Sequence, residues 1–207
     1  MKLKVCGMKY NVSEVAELTP DYLGFIFYEK SKRNYTADAL PTLPVSTQKV
    51  GVFVDATIPF ILEKIKAFDL DVLQLHGNES VEYIQELTSK TSFKSIDIWK
   101  VFSIKETFNF DVLTPYEPVV DAFLFDTKGP QKGGNGITFD WTVLNDYSSE
   151  TPIVLSGGIG LNEVEQLATI LKTDLPIMAI DINSRFEEEP GLKNINNLRT
   201  FKKAINL

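Results

Sequence analysis

The chain predicts an α/β protein, a closed (β/α)8 TIM barrel forming one domain over residues 1–207, and three observations predict it. Eight short apolar runs recur along the chain, alternating with helical patterns and with no linker or change of composition between them. The runs are rich in Val, Ile, Leu and Phe, as strands buried on both faces are. The glycine-rich loops come late, after the sixth and seventh runs, and the first loop, "CGMKYN", lacks the spaced glycines of a dinucleotide-binding turn. Strand–helix alternation implies parallel strands joined by right-handed crossovers, and eight such repeats suit a small closed barrel. The competing arrangement is an open doubly wound sheet, which usually has fewer strands and binds phosphate after the first of them.

In chain order the strand candidates are "KLKVC" (2–6), "YLGFIF" (22–27), "KVGVFV" (49–54), "VLQLH" (72–76), "SIDIWKVF" (95–102), "AFLFD" (122–126), "PIVLS" (152–156) and "PIMAID" (176–181). Among the helices, "TIPFILEKIKAF" (57–68) has apolar residues at 58, 61, 62, 65 and 68, the spacing of one helix face. "SVEYIQELTS" (80–89) offers Ser80 and Asn78 as N-caps, "LNEVEQLATILK" (161–172) offers Asn162, and "NINNLRTFKKAI" (194–205) closes the chain. A short helix is expected over about 36–43, interrupted by Pro41 and Pro44, and a weak one over 103–117 before Pro115 and Pro118.

The totals narrow the function. The formal net charge is −7, with 43% hydrophobic and 24% charged residues, and no basic run or stripe, so neither nucleic acid nor an anionic membrane is an expected partner. A small anionic ligand is allowed where local positive potential exists. One cysteine excludes an intramolecular disulfide and a multi-cysteine metal site, and fits a reducing cytoplasm. No signal-peptide pattern and no membrane-length apolar stretch is present, so the expected location is cytoplasmic.

Barrels of this kind carry their chemistry at the C-terminal ends of the strands. Those ends read Cys6, Phe27, Val54 with Asp55, His76, Phe102, Asp126, Ser156 and Asp181. Cys6 is either a small buried hydrophobe or a base, and Gly7 after it allows close approach of backbone or ligand. As a base it needs its thiol pKa, ordinarily about 8.5, brought toward working pH. Asp126 ends an apolar run, where a carboxylate is costly unless it is paired or open to the barrel mouth. It either orients the following loop or, with a pKa raised by desolvation, serves as a general acid. His76 is the sole histidine, and one histidine with one cysteine supplies too few soft ligands for zinc, so no metal is expected.

The loop "KGPQKGGNG" (128–136) is either a plain surface loop or a lid over a ligand. "LSGGI" (155–159) places Gly157 and Gly158 before a helix, where exposed amides bind anions, and barrels often hold phosphate after strands seven and eight. Arg33, in "EKSKRNY" (29–35), is one of three arginines; it is either solvated or a bidentate partner for a planar carboxylate.

Together these residues resemble the phosphoribosylanthranilate isomerase family of tryptophan biosynthesis. "KVCG" (4–7), "GFIF" (24–27), "SKR" (31–33), "VGVFV" (50–54), "QLHG" (74–77), "WKVF" (99–102), "FLFD" (123–126), "GGNG" (133–136), "FDW" (139–141), "LSGGI" (155–159), "DINS" (181–184) and "PGLK" (190–193) follow one another in the family's order over essentially the whole chain. The resemblance implies a (β/α)8 fold and a cofactor-free Amadori rearrangement of N-(5′-phosphoribosyl)anthranilate to 1-(o-carboxyphenylamino)-1-deoxyribulose 5-phosphate. It implies Asp126 as the acid that opens the ribose ring and Cys6 as the base at C2′. It implies Arg33 on the anthranilate carboxylate, Gly157, Gly158 and Ser184 around the phosphate, Asp181 near the ribose hydroxyls, and His76 lining the pocket. The partner is then a phosphorylated small molecule, with the protein a monomer or homodimer.

Three positions depart from the family's pattern. Lys32 stands where the family often has proline, Asn135 where it often has threonine, and Arg185 where it often has glycine beside the phosphate site. The nearest rivals are a histidine-pathway aminoaldose isomerase, which usually works with two aspartates, and indole-glycerol-phosphate synthase, which needs an early-strand lysine and an N-terminal extension. A non-catalytic binding module with a structural thiol is the rival from another class.

Overall fold

The computed structural model describes residues 1–91, 95–127 and 140–205. Eight parallel strands pair in sequence order, and the eighth pairs with the first to close a barrel. They are β1 (Lys2–Val5), β2 (Tyr22–Ile26), β3 (Gln48–Phe53), β4 (Val72–Leu75), β5 (Asp97–Ile104), β6 (Ala122–Thr127), β7 (Ile153–Leu155) and β8 (Ile177–Ile182). Five α-helices are described: α1 (Val12–Ala16), α2 (Ile58–Phe68), α3 (Val81–Lys90), α4 (Val164–Ile170) and α5 (Ile195–Ala204). A short antiparallel hairpin, β9 (Glu187–Glu189) with β10 (Leu192–Lys193), follows β8 and has no counterpart in the sequence expectation.

All eight expected strands form, with ends shifted by a residue or two, and β5 runs to Ile104 rather than stopping at Phe102. Ser80 caps α3 by accepting the Tyr83 amide at 3.2 Å. The helix expected over 36–43 does not form. Pro41 and Pro44 lack amide donors, and other bonds take over: Tyr35 Oη donates to Ala39 O at 2.8 Å and Thr47 Oγ1 to Pro20 O at 2.8 Å. The segment after β5 is reduced to 3-10 turns at Phe110–Leu113 and Glu117–Val119. Asn162 does not cap; it sits inside a 3-10 turn, Leu161–Glu163, that leads into α4.

Period-two alternation divides the buried side chains between two cores. Tyr22, Val50, Val52, Val72, Trp99, Val101, Ala122, Leu124, Val154 and Ala179 fill the barrel interior together with Cys6. Tyr22 and Trp99 meet there edge to face, 4.9 Å between centroids. The residues between them in sequence pack outward against the helices. At the N-terminal face an aspartate just before each of β2, β4 and β6 ties down a neighbouring strand. Asp21 accepts the Leu3 amide (2.8 Å), Asp71 the Lys49 amide (2.8 Å) and Asp121 the Ile98 amide (2.7 Å).

A buried ion pair braces the C-terminal side of β4 and β5. Lys100 Nζ lies 3.1 Å from Glu79 Oε2 and 2.9 Å from Gly77 O, while the Glu79 carboxylate accepts the Asp55 and Gly77 amides, each at 2.9 Å. The loops after β3 and β4 are thereby tied to one carboxylate. Lys100→Met, which strips that carboxylate of its cation, is expected to cost about 3 kcal/mol in urea unfolding with an unchanged slope, and Lys100→Met/Glu79→Gln to recover most of it.

Candidate active site

Cys6 follows β1 directly, and its amide donates to Ile182 O at 2.8 Å across the seam between β1 and β8. Two residues back on the same inward face is Lys4, fully buried, with Nζ 2.8 Å from Asp181 Oδ2. Lys4 and Asp181 are also backbone partners in the β1–β8 register. Gly24 on β2 backs the thiol: a Cβ there would lie 2.8 Å from Sγ. Burial pushes the Cys6 thiol up, and the Lys4 charge is the largest effect opposing it; Asp181 adds to the rise and Lys193 works against it. The resting group is therefore a neutral thiol.

Asp126 extends the inward row of Ala122 and Leu124 on β6, and it is buried. Its Oδ1 accepts the Thr127 amide at 2.9 Å. His76 Nε2 stands 3.6 Å from Oδ2, and His76 Nδ1 lies 3.3 Å from Gln74 Nε2. A proton donated by Gln74 to Nδ1 leaves the histidine proton on Nε2, facing the carboxylate. Burial, with the Asp181 charge adding to it, pushes the Asp126 carboxyl up to about 7. Half of this group is an acid at neutral pH, as a proton donor needs. Asp181 lies between the two candidates, on β8, and its charge acts on both. Its own pKa is raised, because burial outweighs the Lys4 ammonium.

Arg33 does not stand in solvent. Its Nε lies 2.9 Å and its Nη2 2.6 Å from the Glu187 carboxylate on β9, leaving Nη1 with no bond among the described residues. Glu187 also accepts Lys193 Nζ (2.7 Å) and the Gly191 amide (3.0 Å), and Lys193 donates to Asn183 Oδ1 at 2.7 Å. Although burial raises Glu187, the Arg33 hydrogen bonds and the Lys193 charge hold it below the usual carboxylate range. Gly7 packs against this network; a Cβ there would fall 2.6 Å from Asn183 Oδ1 and 2.7 Å from Arg33 Cδ.

In the loop after β7, Gly157 and Gly158 have φ of 93° and 64°, and a Cβ on Gly157 would meet Thr127 Oγ1 at 2.2 Å. Only glycine suits Gly157 on both counts. Ser184 opens a 3-10 turn, Ser184–Phe186, beyond β8, and Arg185 within it is exposed. The loop at 128–136 lies outside the described residues.

The structure thus joins Asp181 to Lys4, two residues before Cys6, brings Asp126 to His76, and ties Arg33 to the β9–β10 hairpin. Sequence reasoning passed over Lys4, Glu187 and Lys193 as site residues. Period two alone places Lys4 on the face of Cys6, whereas the two hairpin residues carry no local signal.

The raised Asp126 pKa makes a stability prediction. Unfolded, this carboxyl ionises near pH 4, but folded it keeps its proton to about pH 7. The native state binds the extra proton between those values, so its stability falls as pH rises through that window, by up to about 4 kcal/mol. Denaturant unfolding of wild type and Asp126→Asn across pH should show the variant gaining on wild type over the window and holding that gain above it. Parallel curves would contradict the assignment.

Comparison with known proteins shows the family and the fold. The family model for N-(5′-phosphoribosyl)anthranilate isomerase matches residues 3–204. The N-(5′-phosphoribosyl)anthranilate isomerase of Parabacteroides distasonis is 42% identical over 212 residues, covering 99% of this chain and 93% of the relative. The solved phosphoribosyl anthranilate isomerase of Thermotoga maritima superposes with a TM-score of 0.80 at 26% identity, covering 100% of this chain and 98% of that one. A second such structure, in complex with reduced 1-(o-carboxyphenylamino)-1-deoxyribulose 5-phosphate, has a TM-score of 0.79 at 25% identity and the same coverage. The chain belongs to the N-(5′-phosphoribosyl)anthranilate isomerase family.

Proposed function

We infer that this chain catalyses the Amadori rearrangement of N-(5′-phosphoribosyl)anthranilate to 1-(o-carboxyphenylamino)-1-deoxyribulose 5-phosphate in tryptophan biosynthesis, in the cytoplasm and as one catalytic domain. The observation that carries the chemistry is a carboxyl group with a pKa of about 7 placed at the same barrel mouth as a thiol beside a buried lysine.

Asp126 gives its proton to the ribose ring oxygen. The C1′–O bond breaks as the anthranilate nitrogen lone pair forms the Schiff base. Cys6, as thiolate, takes the proton from C2′, and the electrons released form an enolamine, which becomes the C2′ ketone as C1′ gains a proton and the C2′ hydroxyl loses one. The sugar is oxidised at C2′ and reduced at C1′ within one molecule, so the step balances with no external oxidant or reductant. A base and an acid acting on adjacent parts of one sugar are what this sequence of proton transfers requires.

Arg33 offers Nη1 to the anthranilate carboxylate while Glu187 fixes the rest of the guanidinium. Gly157, Gly158 and Ser184 form the phosphate cradle, supplying local positive potential in an acidic protein. His76 steadies the Asp126 carboxyl from the side of β4 and lines the pocket. The Oδ1 of Asp181, buried and without a hydrogen-bond partner among the described residues, is the atom left for a ribose hydroxyl. Solved relatives include both a dimeric isomerase and monomers engineered from it, and either state leaves these residues in one chain.

Loss of substrate fluorescence, followed with freshly made phosphoribosylanthranilate, tests the reading. Cys6→Ala and Asp126→Asn should each lower kcat at least about 10²-fold with the fold retained. Folded variants with near-wild-type turnover would contradict the roles. Arg33→Ala should chiefly raise KM, and an unchanged KM would remove the carboxylate clamp.

A further inference from the structure

We infer that Lys4 is a positioning residue for this reaction: its ammonium, locked against Asp181 inside the barrel, is the fixed positive charge against which the Cys6 thiolate forms. The inference rests on the reading of Cys6 as the base.

Among the described residues three lysines are almost wholly buried, and two have evident structural work. Lys100 braces two loops through Glu79, and Lys193 holds the hairpin through Glu187 and Asn183. Lys4 ties no loop. It stands in the middle of the barrel with Asp181 as its carboxylate partner among the described residues. A buried ion pair is costly to desolvate and adds little net stability over apolar residues of similar size, so stability alone gives no reason for it. Its place gives one. Lys4 and Cys6 project from the same face one pleat apart, about 7 Å along the strand, and the lysine chain is long enough to bring its ammonium to the thiol. The Lys4 charge is the largest effect that opposes the rise of the thiol pKa.

The charges facing Cys6 come from three elements. Lys4 is on its own strand, Asp181 on β8 and Lys193 on β10. Behind Lys193 are Glu187 and Arg33, and further round the mouth Asp126, with His76 3.6 Å from its carboxylate, feels the Asp181 charge. Two cations and one anion therefore bear directly on Sγ. The anion is the one bonded to Lys4, so Asp181 both holds the ammonium in place and tempers its pull.

Because Cys6 is the sole cysteine, its ionisation can be read in the intact protein by ultraviolet thiolate absorbance against pH, with Cys6→Ser as the blank. Lys4→Met should raise the midpoint by at least about one pH unit, a tenfold loss of thiolate at a fixed pH, while Lys4→Arg stays near wild type. The rising, low-pH limb of kcat/KM should move with it. Lys4→Gln, neutral but able to bond to Asp181, should raise the midpoint likewise and covers the case in which Lys4→Met fails to fold. A midpoint unchanged in the folded neutral variant, Lys4→Met or Lys4→Gln, overturns the proposal. If wild type shows no turnover of phosphoribosylanthranilate yet the midpoints shift as stated, the functional reading fails and the electrostatic one stands.

Discussion

The Lys4–Asp181 pair crosses the seam where the barrel closes. The two residues are register partners between β1 and β8, and their side chains meet inside at 2.8 Å. Strand side chains alternate with period two, so a slip of β1 by one residue at this seam would turn Lys4 and Cys6 out toward the helices and leave Asp181 inside without its cation. The buried pair opposes such a slip, because neither charge tolerates an apolar environment without the other. Closure of the fold and assembly of the site are thus the same event. The interior row on β1 ends at Cys6, the row on β8 ends at Asp181, and the row on β6 ends at Asp126.

A second network holds the rim. Arg33 comes from the loop after β2, Glu187 and Lys193 from the hairpin after β8, and Asn183 from the link between β8 and that hairpin. One carboxylate gathers two cations and an amide, so the guanidinium arrives with its orientation set and one edge unspent. Pre-orientation matters for recognising a planar carboxylate, since a free arginine would lose side-chain entropy on binding. It also explains how a protein with a net charge of −7 presents positive potential where a doubly anionic sugar must bind: the cations are few but fixed.

The barrel was legible in the sequence because buried parallel strands announce themselves as short Val/Ile/Leu/Phe runs, and the strand ends named Cys6, His76, Asp126 and Asp181 directly. The helix expected over 36–43 failed because two prolines outweighed a weak pattern, and side-chain bonds from Tyr35 and Thr47 took over that stretch. Lys4 was legible in principle. "KLKVC" puts it on the face of the thiol, but a lysine in a strand reads by default as solvent-facing. Glu187 and Lys193 were not legible, since their partners, Arg33 and Asn183, are fixed by tertiary packing and Arg33 is 154 positions away from Glu187. Arg185 likewise needed a surface to place it, and it is exposed. What the sequence could not convey was therefore mostly charge pairing between distant loops, the part of a site that depends on three-dimensional neighbours.

The central claim is that one barrel mouth holds a base and an acid on the same sugar. A crystal structure of this protein with the reduced product analogue tests it most directly. The Asp126 carboxyl is expected within hydrogen-bond reach, about 2.6–3.2 Å, of the oxygen that leaves C1′, with Cys6 Sγ facing C2′ and the phosphate against Gly157, Gly158 and Ser184. An analogue seated with its C2′ turned away from Cys6, or with its phosphate at another loop, would contradict it.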